Sequence, residues 1–311
     1  MMKHIIAVVV IFLCGGIAAA ETIYVGPGEQ YSSLEDVEDI LEDGDVLEIV
    51  PGTYRQCITF YADNLVVRPK GWPDKNKKVR FQDVTCQDKA IFVVESDRIR
   101  IEGMEFINAK VPDHNGAGIK FNGKYLEVND SYFFNNEVGI MTGNDFESEI
   151  VVHQSVFEGN GKEPPKWGHG LYVNDAKSLV VTDSLFVKQK TGHHIKSRAI
   201  YTEVSGNEIA DGMDGNASYS IDIANGGSVL IENNIIQKGP LSDNITTVIC
   251  IGCEGGTNES KHITVRNNQF TNDTASDDVV FVRNLTSTKE QVEDNKFKGN
   301  KIILTDYDYP G

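Results

Sequence analysis

The sequence is short of basic residues, of proline and, past its first twenty positions, of any long apolar run. Only 29 residues are Lys or Arg against 46 Asp or Glu, a formal net charge of −17 over 311 residues. Gripping nucleic acid through its phosphates needs a basic face, so this balance argues against a nucleic-acid partner and against simple adhesion to anionic lipid. With no later stretch of about twenty apolar residues, no membrane insertion is expected beyond residue 20. The nine prolines are too few for a proline-rich linker, whereas 29 glycines and many asparagines point to tight turns. Hydrophobic residues still make up 40% of the chain, which separates it from disordered and collagen-like sequences.

Residues 1–20 read as a signal peptide. Lys3 supplies the positive start, Ile5 to Leu13 the apolar run, and Ala18-Ala19-Ala20 a small-residue cleavage site. Cleavage near Ala20 would deliver a secreted or periplasmic protein one unit more acidic than the precursor. Cys14 lies inside that leader, so four cysteines remain for an oxidising compartment. Cys57 and Cys86 flank neighbouring segments and can form one disulfide. Cys250 and Cys253 form a CxxC pair with no redox helix around it and no second CxxC to complete a zinc site, leaving a short-loop disulfide or two free thiols.

The rest of the chain is a repeat. An apolar residue, a second two positions on and a large apolar residue seven positions on recur as Leu47-Ile49-Tyr54, Leu65-Val67-Trp72, Ile99-Ile101-Phe106, Leu126-Val128-Phe133, Ile150-Val152-Phe157 and Leu179-Val181-Phe186. They continue as Thr202-Val204-Ile209, Val229-Ile231-Ile236, Ile263-Val265-Phe270 and Glu290-Val292-Phe297. Such a period marks a solenoid, whose units bury their apolar side only by stacking on one another. Period-two alternation and β-branched enrichment exclude a helical solenoid. Five residues after each start stand Ser131, Ser155, Ser184, Asn207, Asn234, Asn268 and Asn295, a column that can hydrogen-bond from turn to turn.

These motifs resemble the right-handed parallel β-helix of the pectate-lyase type, over essentially the whole mature chain and about ten coils. The resemblance implies an all-β single domain over residues 47–311, preceded at 21–46 by an N-terminal cap. In that cap Tyr31, Leu34, Val37, Ile40 and Leu41 follow helical spacing with Ser32 or Ser33 as N-cap, a short amphipathic helix able to cover the open end of the solenoid. The following GDVLEIVPGTYRQ is similar to the opening of many secreted β-helix proteins.

A second strand lies in each coil: GAGIKFNG, EVGIMTGN, GHGLYVND, GHHIKSRA, SYSIDIAN and TVICIGCE. With Ile119, Ile140, Leu171, Ile195, Ile221 and Ile249 pointing inward, alternation turns their neighbours outward. One outward column then reads Lys120, Met141, Tyr172, Lys196, Asp222, Cys250; a second reads Gly118, Gly139, Gly170, His194, Ser220, Val248; a third reads Asn122, Gly143, Asn174, Arg198, Ala224, Gly252. Coils are spaced about 4.8 Å apart, so Tyr172, Lys196 and Asp222 are expected to be direct neighbours. His169 and His193 would stand near one rim, Asn174, Asn225 and Lys120 along the face, and Trp167 in a loop able to offer a platform to a sugar ring. In so acidic a chain the His193–Arg198 segment is a local basic spot.

Secreted β-helix proteins related to chondroitinase B and alginate lyase cleave acidic polysaccharides by β-elimination. That reaction needs a base for the proton beside the uronate carboxylate, an acid for the leaving oxygen and a cation on the carboxylate. Lys196-Ser197, followed eleven residues after the lysine by Asn207, resembles the base-bearing segment of that family. The resemblance makes Lys196 the base, Tyr172 or His194 the acid and Arg198 the carboxylate clamp. Where the family presents a T-x-R-H-G strand, this chain has Ser220-Ile221-Asp222-Ile223, which leaves Asp222 to orient His194 or to bind Ca²⁺. The DPHD motif of mannuronan C5-epimerases, which share the first proton abstraction, is absent. A hydrolase would need paired carboxylates, and Asp222 has no evident partner in these columns. The alternative is a non-catalytic glycan-binding or structural β-helix of an exopolysaccharide or cell-surface system.

Overall fold

A computed structural model describes residues 20–162 and 167–306. The expected leader therefore lies, except for Ala20, outside the described residues, as do Pro164, Pro165 and Lys166 beside Trp167. What is described is a parallel β-solenoid. One sheet of ten short strands runs from Gly52–Tyr54 to Lys296–Gly299, one strand per coil, and a second sheet of nineteen strands wraps the other faces. Every pairing between named strands is parallel, with the register shifted at Asp145/Glu149 and at Val173/Asp175; Leu126 lies between Ile99 and Ile150, and Leu179 between Ile150 and Thr202.

The apolar repeat builds the core because in-register stacking places like side chains above one another. The ring centroids of Phe133, Phe157 and Phe186 are 4.6 Å apart and nearly parallel, and Phe106 continues the column at 5.0 Å from Phe133. Trp72 does not join it. The segment 70–78 is an insertion that holds Trp72 outside the core, and Phe81 takes the expected place between Tyr54 and Phe106.

The turn column forms as expected. Backbone N–H groups of Ser131, Ser155, Ser184, Asn207, Asn234 and Asn268 each donate to the side-chain oxygen one coil on, at 2.9–3.2 Å. The residue before each has positive φ, between 46° and 71°, and is Asp, Asn, Gln or Gly. Asparagine and aspartate tolerate that geometry, so both halves of the turn are written in the sequence.

The N-terminal region differs from expectation in detail. Its helix is a single turn, Glu35–Glu38, with Leu34 at the N-cap position; of the two expected serines Ser33 does cap, its Oγ accepting the Asp36 N–H at 3.4 Å while the Asp36 carboxylate accepts from the N–H groups of Ser32 and Ser33. Leu34 and Val37 are buried and Ile40 is exposed. The strand Thr22–Val25 already pairs with Val46–Ile49, so the sheet begins within the segment expected as a cap.

Candidate functional site

The cleft that gathers reactive side chains lies where the strands Leu171–Thr182, Ile195–Ser205 and Ile221–Ile223 run side by side. Register pairs Met141 with Tyr172, Tyr172 with Lys196, Lys196 with Asp222, and Asp222 with Cys250, so the first outward column is as expected. A cavity of about 590 Å³ opens over it, walled by Met141, Trp167, His169, Tyr172, His193, Lys196 and Glu254 among others. Trp167 stands at its rim, 52% exposed.

The second column does not face outward. A Cβ on Gly118 or Gly139 would strike Phe133 or Phe157 within 2.7 Å, so this position looks into the solenoid. His194 follows the same direction and is buried inside, its Nε2 2.9 Å from Asp211 Oδ1. Burial pushes the Asp211 carboxyl up, but the bond to His194 and the charges around it win and hold it at about 2. The other Asp211 oxygen accepts from Gly239 N–H and from the Ser242 hydroxyl. His194 therefore pins the interior corner and is neither the acid of the cleft nor a partner of Asp222.

His193 takes the place expected of His194. Its Nδ1 accepts the Tyr219 N–H at 3.0 Å, leaving its Nε2–H directed at Asp222 Oδ2, 3.4 Å away. His169 repeats the arrangement, its Nδ1 accepting the His193 N–H at 3.0 Å. His169, His193 and Tyr219 form a ring stack with 5.0 Å spacings, and Tyr172 meets the edge of His169. Burial and then the Lys196 charge drive His193 down to about 3; burial and His193 drive His169 well below the ordinary imidazole range. Both rings thus stay neutral at ordinary pH, which suits a wall rather than a titrating acid.

The charged centre includes a residue that sequence reasoning missed. The loop after Thr247–Ile251, closed by the Cys250–Cys253 disulfide, carries Glu254 back across the preceding coil. Gly252, Gly255 and Gly256 all have positive φ, and Glu254 N–H bonds to Ala224 O at 2.9 Å. One oxygen of Glu254 bonds to Lys196 Nζ and the other lies 2.5 Å from Arg198 Nη2. Lys196 Nζ also contacts Asp222 Oδ2 at 3.2 Å. Arg198 donates through Nη1 to Tyr172 Oη and, at 3.0 Å, to Asn174 Oδ1. A bulge between Val173 and Asp175 sets Asp175, not Asn174, opposite Arg198 in register. The expected lack of a second carboxylate is thus corrected, because Glu254 arrives from two coils away.

The two acids are held differently. Burial raises Asp222 to about 6 against the lowering effect of Lys196, and its Oδ1 has no hydrogen-bond partner among the described residues. Burial also pushes Glu254 up, but the bonds from Lys196 and Arg198 prevail and leave it below the usual carboxylate range. The neutral form of Asp222 is favoured by folding. Its contribution to stability therefore falls as pH rises from about 4 through 6, then levels off. The same titration adds a negative charge beside Lys196. Affinity for an anionic ligand is expected to fall as pH rises from 5 to 7, and Asp222→Asn to flatten that dependence in a binding titration. A pH dependence unchanged in the variant would show that another group titrates.

Lys120 and Asn225 lie apart from this centre. Lys120 Nζ donates to Thr142 O at 2.8 Å and is brought to about 8 by burial and the Lys89 charge. Asn225 contacts Asp175 at 3.4 Å. The residues do not fit Ca²⁺: both carboxylates of the centre face cations, and no group of three or more His, Cys, Asp or Glu able to hold a metal ion converges among the described residues.

The solved structure of pectate lyase Pel9A superposes with a TM-score of 0.60 at 14% identity, over 94% of this chain and 80% of that one. Alginate lyase from Paenibacillus sp. str. FPU-7 superposes with a TM-score of 0.59, also at 14% identity, over 92% of this chain and 99% of that one. At such identity the likeness is one of fold. No curated protein matches the sequence. The family model of the right-handed β-helix region matches residues 74–236 and 145–309, most of the solenoid. The chain belongs to the right-handed β-helix family.

Proposed function

We propose that this is a secreted or periplasmic carbohydrate-active protein that takes an acidic polysaccharide and abstracts the proton beside a uronate carboxylate, as a β-elimination lyase or a C5-epimerase. The observation that carries the reading is the seat of Glu254: a carboxylate with one oxygen toward Lys196 and the other toward Arg198. That is the geometry a uronate would adopt, with Glu254 as its internal stand-in. The pectate and alginate lyases of like fold act on acidic polysaccharides by their names. Two disulfides, Cys57–Cys86 and Cys250–Cys253, support an oxidising compartment, and no described helix is long and apolar enough to cross a membrane.

In this reading the incoming carboxylate displaces Glu254 onto its glycine-rich loop and is neutralised by Arg198. The departing Glu254 carries off the Lys196 proton, the freed amine takes the proton from the adjacent carbon, and Tyr172, its ring centroid 5.0 Å from that of His169, gives its own proton to the departing oxygen as the acid. Incubation with polygalacturonate, alginate and glycosaminoglycans tests it. Elimination gives a rise in ultraviolet absorbance from an unsaturated uronate; epimerisation gives solvent-proton exchange without that rise. Neither signal on any substrate contradicts catalysis. Glu254→Gln should tighten binding of a saturated oligouronate several-fold by removing the internal competitor; weaker binding would mean that Glu254 serves the ligand rather than competing with it.

The exposed Trp167 and the His169–His193–Tyr219 stack favour a second reading, a non-catalytic glycan-binding module, in which saturable binding persists without either product.

A further inference from the structure

Lys110, Lys162 and Lys190 rim a second hollow, also of about 590 Å³, on the far side of the loops that wall the cleft. The two hollows share their coils. Glu137 faces this one and Val138 the cleft; Asn216 faces this one and Ser218 the cleft; Leu241 faces this one and Asp243 the cleft. Only a ridge one loop wide separates them.

The lysines come from three coils, following the strands Met104–Ile107, Val156–Glu158 and Leu185–Val187, which stack in register with Tyr132–Phe134 between the first two. Three coil spacings, about 14 Å, separate the backbones that carry the outer lysines, and the Lys190 side chain reaches back along the coils toward Lys110. Neighbouring Lys188 pairs with Glu158, but among the described residues none of these three forms an ion pair, and Lys190 Nζ reaches only the Asn135 amide oxygen. Two carboxylates share the lining, Asp214 and Glu137; Glu137 is turned to its own loop, its Oε2 accepting from Val111 N–H and Gly116 N–H at 3.0 and 2.9 Å and its Oε1 facing His114, so the three lysines still outnumber the acids. Lys190 is held below the ordinary lysine range by partial burial and then by the charge of Lys110, so an anion would relieve both. Asn216 Oδ1 is buried without a partner, an acceptor ready for a hydroxyl.

We propose that this hollow is a distal subsite for the polyanionic glycan. A chain that leaves the cleft across the ridge lays its carboxylate or sulfate groups on Lys110, Lys162 and Lys190 and a sugar hydroxyl against Asn216. The inference rests on the reading of the ligand as an acidic polysaccharide, and it makes recognition depend on chain length.

The test is calorimetric titration of the whole protein and of the double variant Lys110→Gln/Lys190→Gln with two saturated oligouronates. One fills the cleft alone; the other is long enough to cross the ridge. Thermal unfolding checks that the variant is folded, which these surface positions favour. The long chain should bind the variant about tenfold more weakly and with a shallower salt dependence, while the short one binds as in the wild type. Unchanged long-chain affinity, or an equal loss for both lengths, overturns the subsite. Equal affinity of the wild type for both lengths also overturns it while leaving the cleft reading intact. Failure of the wild type to bind either removes both.

Discussion

Lys196→Arg is expected to lower polyuronate turnover by at least about 100-fold, and Lys196→Ala by as much or more. The arginine variant decides the matter because it keeps a cation between Asp222 and Glu254, and with it the reason for the local fold. Arginine does not release its proton at working pH, so it can hold a carboxylate but cannot serve as base. Lys196→Ala removes the cation as well and leaves Asp222, already raised to about 6, to neutralise itself by protonation. Initial rates from the ultraviolet assay, with titrations of a saturated oligouronate, separate the two roles. Retained binding with lost turnover in Lys196→Arg identifies the base. Turnover near the wild-type rate in that variant would move the base elsewhere, with Tyr172 the next residue to change.

Phe157→Ala should be the most damaging single change to the solenoid, lowering stability by roughly 3–5 kcal/mol. The ring is sandwiched between Phe133 and Phe186, each 4.6 Å away, in a column fixed by register on both sides. Coils that cannot close without shearing their pairings leave most of the cavity open. A denaturant series reads the loss as a lower midpoint with an unchanged slope. A shift below about 1 kcal/mol would mean that the neighbouring coils relax into the gap and that the stacking is not rigid.

The fold was legible because stacking repeats its rules. The apolar triplets, the Ser131-to-Asn295 column and the Asp, Asn, Gln or Gly before each turn report the same geometry on successive coils, and in-register pairing turns that repetition into contacts. Trp72 shows where the reading fails: an insertion moves the apolar residue seven on out of the core, and only the pairing of Val79–Gln82 reveals Phe81 as its replacement.

The site was legible along one column and not beyond it. Tyr172, Lys196 and Asp222 follow from strand alternation alone. Strand alternation misplaces His194, because it turns the residue before the inward Ile195 outward, although glycines at that position in the coils of Phe133 and Phe157 indicate a crowded interior. Where the stacked ring becomes Ile209, a side chain replaces the glycine, and that covariation was the available signal. Glu254 left a fainter trace: three glycines and a CxxC in one short loop mark a backbone turned back on itself, but not the side chain it delivers.

The central claim is that Lys196 and Arg198 form a seat for a sugar carboxylate. Titration of the wild-type protein with an oligouronate and with the same oligosaccharide after its carboxyl groups are reduced to alcohols tests this most directly. The acidic sugar should bind, with affinity falling as salt rises, and the reduced sugar should not; Arg198→Gln should abolish the difference. Equal binding of both sugars, or of neither, would contradict the account.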